Sequence, residues 1–326
     1  MQAVGSAVHE VDADRVHEVV RSGGLLAAGR PVVVMLSGGR DSVCLLDLAV
    51  RIAGAGAVRA LHVDYGLRTA SAGDAAMCAE LCERLSVELT VRQSGPAPGT
   101  GNLQAWGRRF RYAAATELAN EAPGGAAEIA AGHTATDQVE TILYRLASSP
   151  SRRALLGMRP REGRLVRPLL GFSRAQTAAH CRDRGLAWRE DETNASGAYA
   201  RNRIRNALVP ALEQAHPAAQ ANVLALAEIL AEEAQVLDEL VESVLDGRDE
   251  LALAVLRAQP RALRRLIVQR LADRAAGEPA AGVGRRAADV AALPDTGTAS
   301  VDLPHRVRAT ADRGIVRFTR TPPLRT

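Results

Sequence analysis

The chain contains no lysine, so each of its 41 basic residues is an arginine. This excludes a phosphate loop that grips through a lysine ammonium. Any phosphate held here rests on backbone amides, hydroxyls, arginine or a metal. Aromatic residues make up only 3% of the sequence, which argues against a surface built on many stacked bases. The four cysteines, Cys44, Cys78, Cys82 and Cys181, have no zinc-type spacing and no CxxC pair. Cys78 and Cys82 sit four apart on a predicted helix and read as half-buried thiols. No uncharged apolar run reaches membrane-spanning length. The N-terminus carries Glu10, Asp12 and Asp14 and lacks the apolar stretch of a signal peptide. These absences predict a reduced, cytoplasmic protein with no membrane partner.

At 326 residues and 47% hydrophobic content, the chain can build a sizeable core and two domains. Its net charge of +4 is a mild lean towards anions, so local clustering of arginine matters more than the total.

The most informative stretch is SGGRDS, Ser37–Ser42. It follows PVVVML (31–36), a β-branched apolar run that reads as a buried strand, and precedes VCLLDLAVRIA (43–53), which has helical spacing. Strand, glycine-rich turn and helix start together make an anion cradle. Gly38 and Gly39 let backbone N–H groups converge, and the helix N-terminus adds its dipole. Ser37 and Ser42 offer hydroxyls, Arg40 a guanidinium, and Asp41 a carboxylate for a metal or a helix cap.

Further strands are expected at 58–65, 87–92, 128–132 and 164–170, and helices at 9–29, 43–53, 71–85, 102–120, 134–147 and 173–185, with Ser173 as N-cap. The alternation predicts an α/β fold, a doubly wound parallel sheet whose ligand site lies beyond the carboxyl ends of its strands. A long amphipathic helix is expected over 218–246, a basic helix over 256–277, and short antiparallel strands over 299–318. The domains are placed at 1–212 and 213–326, the second smaller and mainly helical.

Two other motifs fall at predicted strand ends. HVDYGLR brings His62 and Asp64, which either touch a nucleotide or finish a strand, with Arg68 beyond as a phosphate or substrate contact. GHTATDQVET spaces His133, Asp137 and Glu140 at i, i+4 and i+7, one helix face. Two carboxylates one turn apart need a cation, and with no lysine in the chain three readings stay open: a solvated acidic face, Mg²⁺, or a substrate ammonium. Arginine clusters follow helical spacing at Arg108 and Arg111, and at Arg201, Arg203 and Arg205. They are either solvated faces or bidentate phosphate grips.

SGGRDS, HVDYGLR, RRFRY, GHTATDQVET, RPLL and WREDETNASGAYARNRIRNALVP occur in the order found in the tRNA(Ile)-lysidine synthetases, a branch of the PP-loop ATP pyrophosphatases, which the chain resembles over about 30–212. Two departures are visible: Tyr65 stands where the family usually has a second histidine, and ASSPSRRALLGM (147–158) replaces a glycine-rich turn. The resemblance implies a Rossmann-like PP-loop domain and a ligase that uses ATP and Mg²⁺. That ligase adenylates the wobble cytidine of the isoleucine tRNA with a CAU anticodon and then joins free L-lysine to it.

On that likeness Ser37, Gly38, Gly39, Arg40, Asp41, Ser42, His62 and Asp64 bind ATP, with Asp41 also on the metal. Asp137 and Glu140 hold lysine, and Asp41, His133, Asp137, Glu140 and Arg205 carry the catalysis. Arg108, Arg111, Arg201, Arg203, Arg264 and Arg265 contact tRNA, with Arg270 a further backbone candidate. A homodimer is also implied. The rival readings are a tRNA thiolation enzyme of the same superfamily, an amide-forming PP-loop enzyme such as an NAD synthetase, and a non-catalytic nucleotide-binding module. The thiolation enzyme would need a reactive cysteine pair or an iron–sulfur site.

Overall fold

The structure, a computed structural model, describes residues 13–66, 71–96, 103–122, 127–148, 152–189 and 200–321. Arg68 and the DETNASG turn lie outside these residues. The chain divides into two compact units, Met1–Ala225 and Leu226–Thr326. The division falls inside a long helix, whereas the sequence reading places it at 212/213.

The first unit contains α1 (Ala13–Ser22), β1 (Val32–Met35), α2 (Arg40–Ala53), β2 (Val58–Asp64), α3 (Ser71–Arg84), β3 (Glu88–Gln93), α4 (Leu103–Asn120) and β4 (Glu128–Ala130). It continues through α5 (Ala135–Ser148), α6 (Arg152–Leu155), β5 (Arg161–Glu162), β6 (Leu165–Val166) and α7 (Arg174–Asp183). After α8 (Ala200–Arg203) come a π turn, Ile204–Leu208, then α9 (Val209–Ala215) and α10 (Ala219–Leu245), which runs on into the second unit.

Among the described residues the sheet order is β3-β2-β1-β4-β6-β5, parallel except for β5. The β1 run explains why the sheet is covered on both faces. Val32 and Val34 turn towards a core with Val43, Leu45, Leu46 and Leu48 of α2, while Val33 and Met35 turn towards Ala114, Ala115 and Leu118 of α4. Strand order grows outward from β1 in both directions, so the crevice between the carboxyl ends of β1 and β4 is the topological switch point.

The predicted strand 164–170 shrinks to two residues in β6. Pro168, which has no N–H to give a ladder, follows closely. The helix expected over 9–29 spans 13–22 among the described residues. Ser173 is the N-cap of α7 and forms a full capping box with Gln176.

The second unit holds β7 (Glu250–Ala252), α11 (Leu253–Ala258), α12 (Arg261–Ala276), α13 (Ala287–Ala291), β8 (Thr298–Leu303), β9 (Val307–Asp312) and β10 (Ile315–Arg320). The strands pair antiparallel in the order β7-β10-β9-β8. They enclose a core with Leu253, Leu256, Ile267, Val268 and Leu271. The single helix expected over 256–277 is broken at Gln259–Pro260, because the residue before a proline is driven out of the helical region. Strand β7 was not anticipated.

Candidate active site

Ser37, Gly38 and Gly39 link β1 to α2. Gly38 has φ +82°, a left-handed turn that calls for glycine, and a Cβ there would also press on the mobile end of Met77, 2.9 Å away. Ser42 Oγ, buried, donates to Gly39 O at 2.8 Å and accepts from Ser37 N at 3.1 Å. Its hydroxyl therefore shapes the loop, while Ser37, Gly39 and Arg40 line the cleft beyond it. Gly132, after β4, packs so closely that a Cβ would sit 3.1 Å from the Asp41 carbonyl. That contact brings the GHTATDQ turn against the SGGRDS turn.

The cleft, about 690 Å³, is lined by Ser37, Gly39, Arg40, Asp41, Ser42, Tyr65, Arg111, His133, Asp137, Arg174, Arg189 and Arg205, with apolar residues of β1 and β2 at its floor. Three carboxylates and two guanidiniums are interlocked at one end. Glu140, fully buried, accepts from Arg205 Nε at 2.6 Å and Arg205 Nη2 at 2.9 Å. Arg174 Nη2 donates to Asp137 Oδ1 at 3.0 Å and lies 3.8 Å from Glu140, while its Nε is 3.7 Å from Asp41. Arg205 Nη2 is 3.6 Å from Asp137. The counter-charge that the sequence reading sought outside the chain is thus present within it, as arginine.

These environments separate the acids. Burial raises the Asp41 pKa; the 2.5 Å hydrogen bond from Thr177 Oγ1 opposes that rise, and the Asp137 charge adds to it. Burial also pushes Asp137 up, but Arg174 and the two hydrogen bonds from Thr134 more than offset it and hold the carboxyl below its ordinary range. Arg205 is held above its ordinary range: burial works against the charged form, and Glu140 outweighs it.

The position of Arg205 has a local cause. Pro210 has no N–H to donate to Asn206, and its ring crowds that carbonyl. The turn before it opens into a π turn, Ile204–Leu208, closed by Val209 N–H to Ile204 O.

His133 lies before the helix, since α5 begins at Ala135 with Thr134 ahead of it. The expected single helix face therefore holds for Asp137 and Glu140 only. Burial, with Arg167, Arg108 and Arg111 nearby, lowers the His133 pKa to about 4 despite Asp137, and its Nδ1 is buried without a hydrogen-bond partner. His62 and Asp64 do not line the cleft. On β2, Leu61 and Val63 face it, and the alternate residues point away. His62 Nδ1 is 3.0 Å from Leu36 O, and Asp64 accepts from Gly66 N at 2.8 Å in a local turn. Tyr65 does line the cleft, held by its hydroxyl to Gly107 O at 3.0 Å and by Trp106 at 5.9 Å. The 147–158 loop is anchored at its far end, where Gln138 exchanges two hydrogen bonds with Met158.

Arg174 and Thr177 were missed by the sequence reading. Their one signal was the Ser173 cap, which places Arg174 at the first helical position. In the second unit Arg265 is exposed on α12 and Arg264 is half-buried. Arg270, a further expected backbone contact, pairs with Asp238 at 2.9 Å and with Glu242 of α10. Arg257, Arg286, Arg308 and Arg317 likewise pair with acids of their own unit.

One carboxylate of the cleft, Asp41, suits Mg²⁺, which takes one or two carboxylates and completes its shell with phosphates and water. No group of three or more His, Cys, Asp or Glu side chains is arranged for a metal among the described residues. Among the same residues no helix is long and apolar enough to cross a membrane.

Comparison with known proteins agrees with this geometry. The PP-loop domain family matches residues 9–212. A tRNA(Ile)-lysidine synthase of Symbiobacterium thermophilum is 38% identical, over 95% of this chain and 69% of that one. An enzyme of the same description from Thermus thermophilus is 40% identical over 74% of this chain, but the match spans only 49% of the Thermus protein. That from Parasynechococcus marenigrum is 34% identical over 86% of each. Among solved structures, the U34-tRNA thiolase NcsA of Methanococcus maripaludis superposes with a TM-score of 0.55 at 17% identity, covering 67% of this chain and 78% of that one, a likeness of fold. By domain, motif order and relatives, the chain belongs to the tRNA(Ile)-lysidine synthase family of PP-loop proteins.

Proposed function

We propose that this chain is a cytoplasmic ligase that joins lysine to carbon-2 of the wobble cytidine in the isoleucine tRNA with a CAU anticodon. In this reading the cytosine O2 attacks the α-phosphate of ATP and pyrophosphate leaves. The side-chain amine of lysine then attacks carbon-2, and AMP leaves with the oxygen. The observation that carries the reading is the meeting of the SGGRDS turn with Asp41 and Asp137 in one cleft, with Glu140 buried behind Arg174 and Arg205.

Each residue has a share in this chemistry. Backbone amides of the loop and Ser37 receive the departing pyrophosphate. Asp41 would hold Mg²⁺, which neutralises phosphate charge when bound. Arg174 and Arg205, already at the acids, are within the same cleft as the phosphates. ATP draws these guanidiniums towards its own charge, and Asp137 and Glu140 are then left needing a cation. The lysine ammonium fills that need, and a carboxylate accepts the proton that turns it into a nucleophile. Neutral His133 stands at the cleft wall to hydrogen-bond the base or the nucleotide. A dimer of this chain belongs to the same reading.

The thiolation alternative fits the cysteines poorly. All four are buried, and burial pushes the Cys78 and Cys82 thiols up to about 12 and about 11, away from the reactive thiolate.

The test is incubation with ATP, Mg²⁺, radiolabelled lysine and unmodified isoleucine tRNA. Label should enter that tRNA together with AMP release. Active protein that releases AMP with no lysine uptake would overturn the reading.

A further inference from the structure

Beside the cleft, four arginines from separate elements lie close enough that Arg145 feels the charges of the other three. Arg145 of α5 donates to Gly157 O at 2.5 Å, and Arg167, after β6, donates to Arg159 O at 2.6 Å. These two carbonyls are two residues apart on one strip, so the guanidiniums that reach them are neighbours. Arg201 of α8 donates to Thr141 Oγ1 at 2.6 Å, one turn along α5 from Arg145. Arg108 of α4 lies over the Tyr112 ring, 4.7 Å from its centroid. None of the four is among the residues that line the ATP cleft, but Arg167 and Arg108 act on His133, which does line it.

The charges there are poorly balanced. Among the described residues the carboxylate bonded to this group is Glu162, 3.0 Å from Arg167 and itself largely exposed. Several polar atoms are left over: the donors Arg167 Nε and Arg111 Nε, and His133 Nδ1, are buried without partners. The Arg167 side chain is only 3% exposed, and the carboxylate it meets among the described residues is the largely exposed Glu162. Burial, Arg201, Arg108 and Arg167 together hold the Arg145 pKa below its ordinary range against Glu162, as expected for cations that lack an anion.

We propose that Arg108, Arg145 and Arg201, with the charge of the buried Arg167 behind them, form a second anion site, next to the ATP cleft, that takes backbone phosphodiester groups of an RNA. The proposal rests on the tRNA reading above and adds Arg145 and Arg167 to it. A nucleotide whose base reaches into the cleft leaves its flanking phosphates at the cleft edge, where these guanidiniums stand. Three forks on three elements suit a chain of separated phosphates better than one compact ion. Recognition of an unpaired loop by phosphate contacts also fits a chain so poor in aromatic residues.

The experiment measures binding of a fluorescent anticodon stem-loop RNA by anisotropy from about 50 to about 200 mM salt. Arg145→Gln and Arg201→Gln should each flatten the plot of log affinity against log salt by about 0.7 to 0.9, and the double variant by their sum. Arg145→Lys, which keeps the charge, should keep the slope. Affinity for a non-hydrolysable ATP analogue should stay unchanged in all of these variants, which also reports that they fold. If Arg145→Gln fails to fold, Arg201→Gln reads the same slope. A wild-type slope and affinity in the Arg201→Gln or double variant overturns the second site alone. Wild-type protein that binds no RNA overturns the tRNA reading as well.

Discussion

Arg205 and Glu140 form a two-point ion pair at 2.6 and 2.9 Å, with the carboxylate fully buried and the guanidinium at the edge of the cleft. The pair joins two helices that are far apart in sequence, and Arg174 backs it from a third at 3.8 Å. It holds the site together, and in the proposed reaction it occupies the place that the lysine ammonium would take.

Removing one member leaves the other stranded. Arg205→Ala should destabilise the protein by about 3 kcal/mol, the lower end for a broken buried pair because Arg174 remains near Glu140. Glu140→Gln should cost less, since the half-exposed Arg205 regains water. Urea unfolding of the two single variants and the double variant, closed as a cycle, measures the coupling.

If lysine replaces arginine at these acids, its binding depends on what draws the arginine away. Lysine measured by equilibrium dialysis should bind about tenfold more tightly with a non-hydrolysable ATP analogue present, and the analogue should gain the same factor from lysine. Equal lysine affinity with and without the analogue would show that the cations do not exchange.

Acid should weaken the fold through His133. Its pKa is about 4 in the folded chain and near 6.5 when unfolded. Between those values the unfolded chain holds a proton that the folded chain refuses. Stability therefore falls as pH drops from about 6.5 to about 4 and levels off below, by on the order of 3 kcal/mol. His133→Gln should flatten that part of the profile, read as melting temperature against pH; an unchanged slope would remove His133 as its source.

Gly132→Ala should disturb nucleotide binding. The new methyl meets backbone at 3.1 Å on the Asp41 carbonyl and at 3.2 Å on Ser42 N, neither of which can rotate aside. A cost of about 1–3 kcal/mol is expected. The displaced loop should show a raised dissociation constant for the ATP analogue in calorimetry.

The parts of the site legible in the sequence were those with local signals. A β-branched run, two glycines and an apolar helix start announced the β1–α2 turn, and helical spacing paired Asp137 with Glu140. His133 was placed on that helix because its spacing fits, but Thr134 caps the helix through Asp137 and leaves His133 outside. His62 and Asp64 looked suited to a nucleotide by residue type. The period of two on β2 turns them from the cleft, but which alternating set faces it is fixed by the neighbouring strands and not by the period itself. Arg174 carried no local signal, because its partners Asp41, Asp137 and Glu140 come from other elements and only the fold brings them together. The break at Gln259 was legible in Pro260. The pairing of Arg270 with Asp238 and Glu242 was not, since it depends on how α12 lies along α10.

The π turn at Ile204–Leu208 holds one residue more than an α-helical turn would. That surplus is slack. A helix with slack at one point can advance by one position without unwinding elsewhere, and such a step turns the side chains on one side of it by about 100°. Arg205 sits on the slack, between Pro210, which created it, and Glu140, which holds it in one register. The anchor of this cation is therefore also its bearing, and a step of Arg205 in register has to break its contacts with both Glu140 and Asp137.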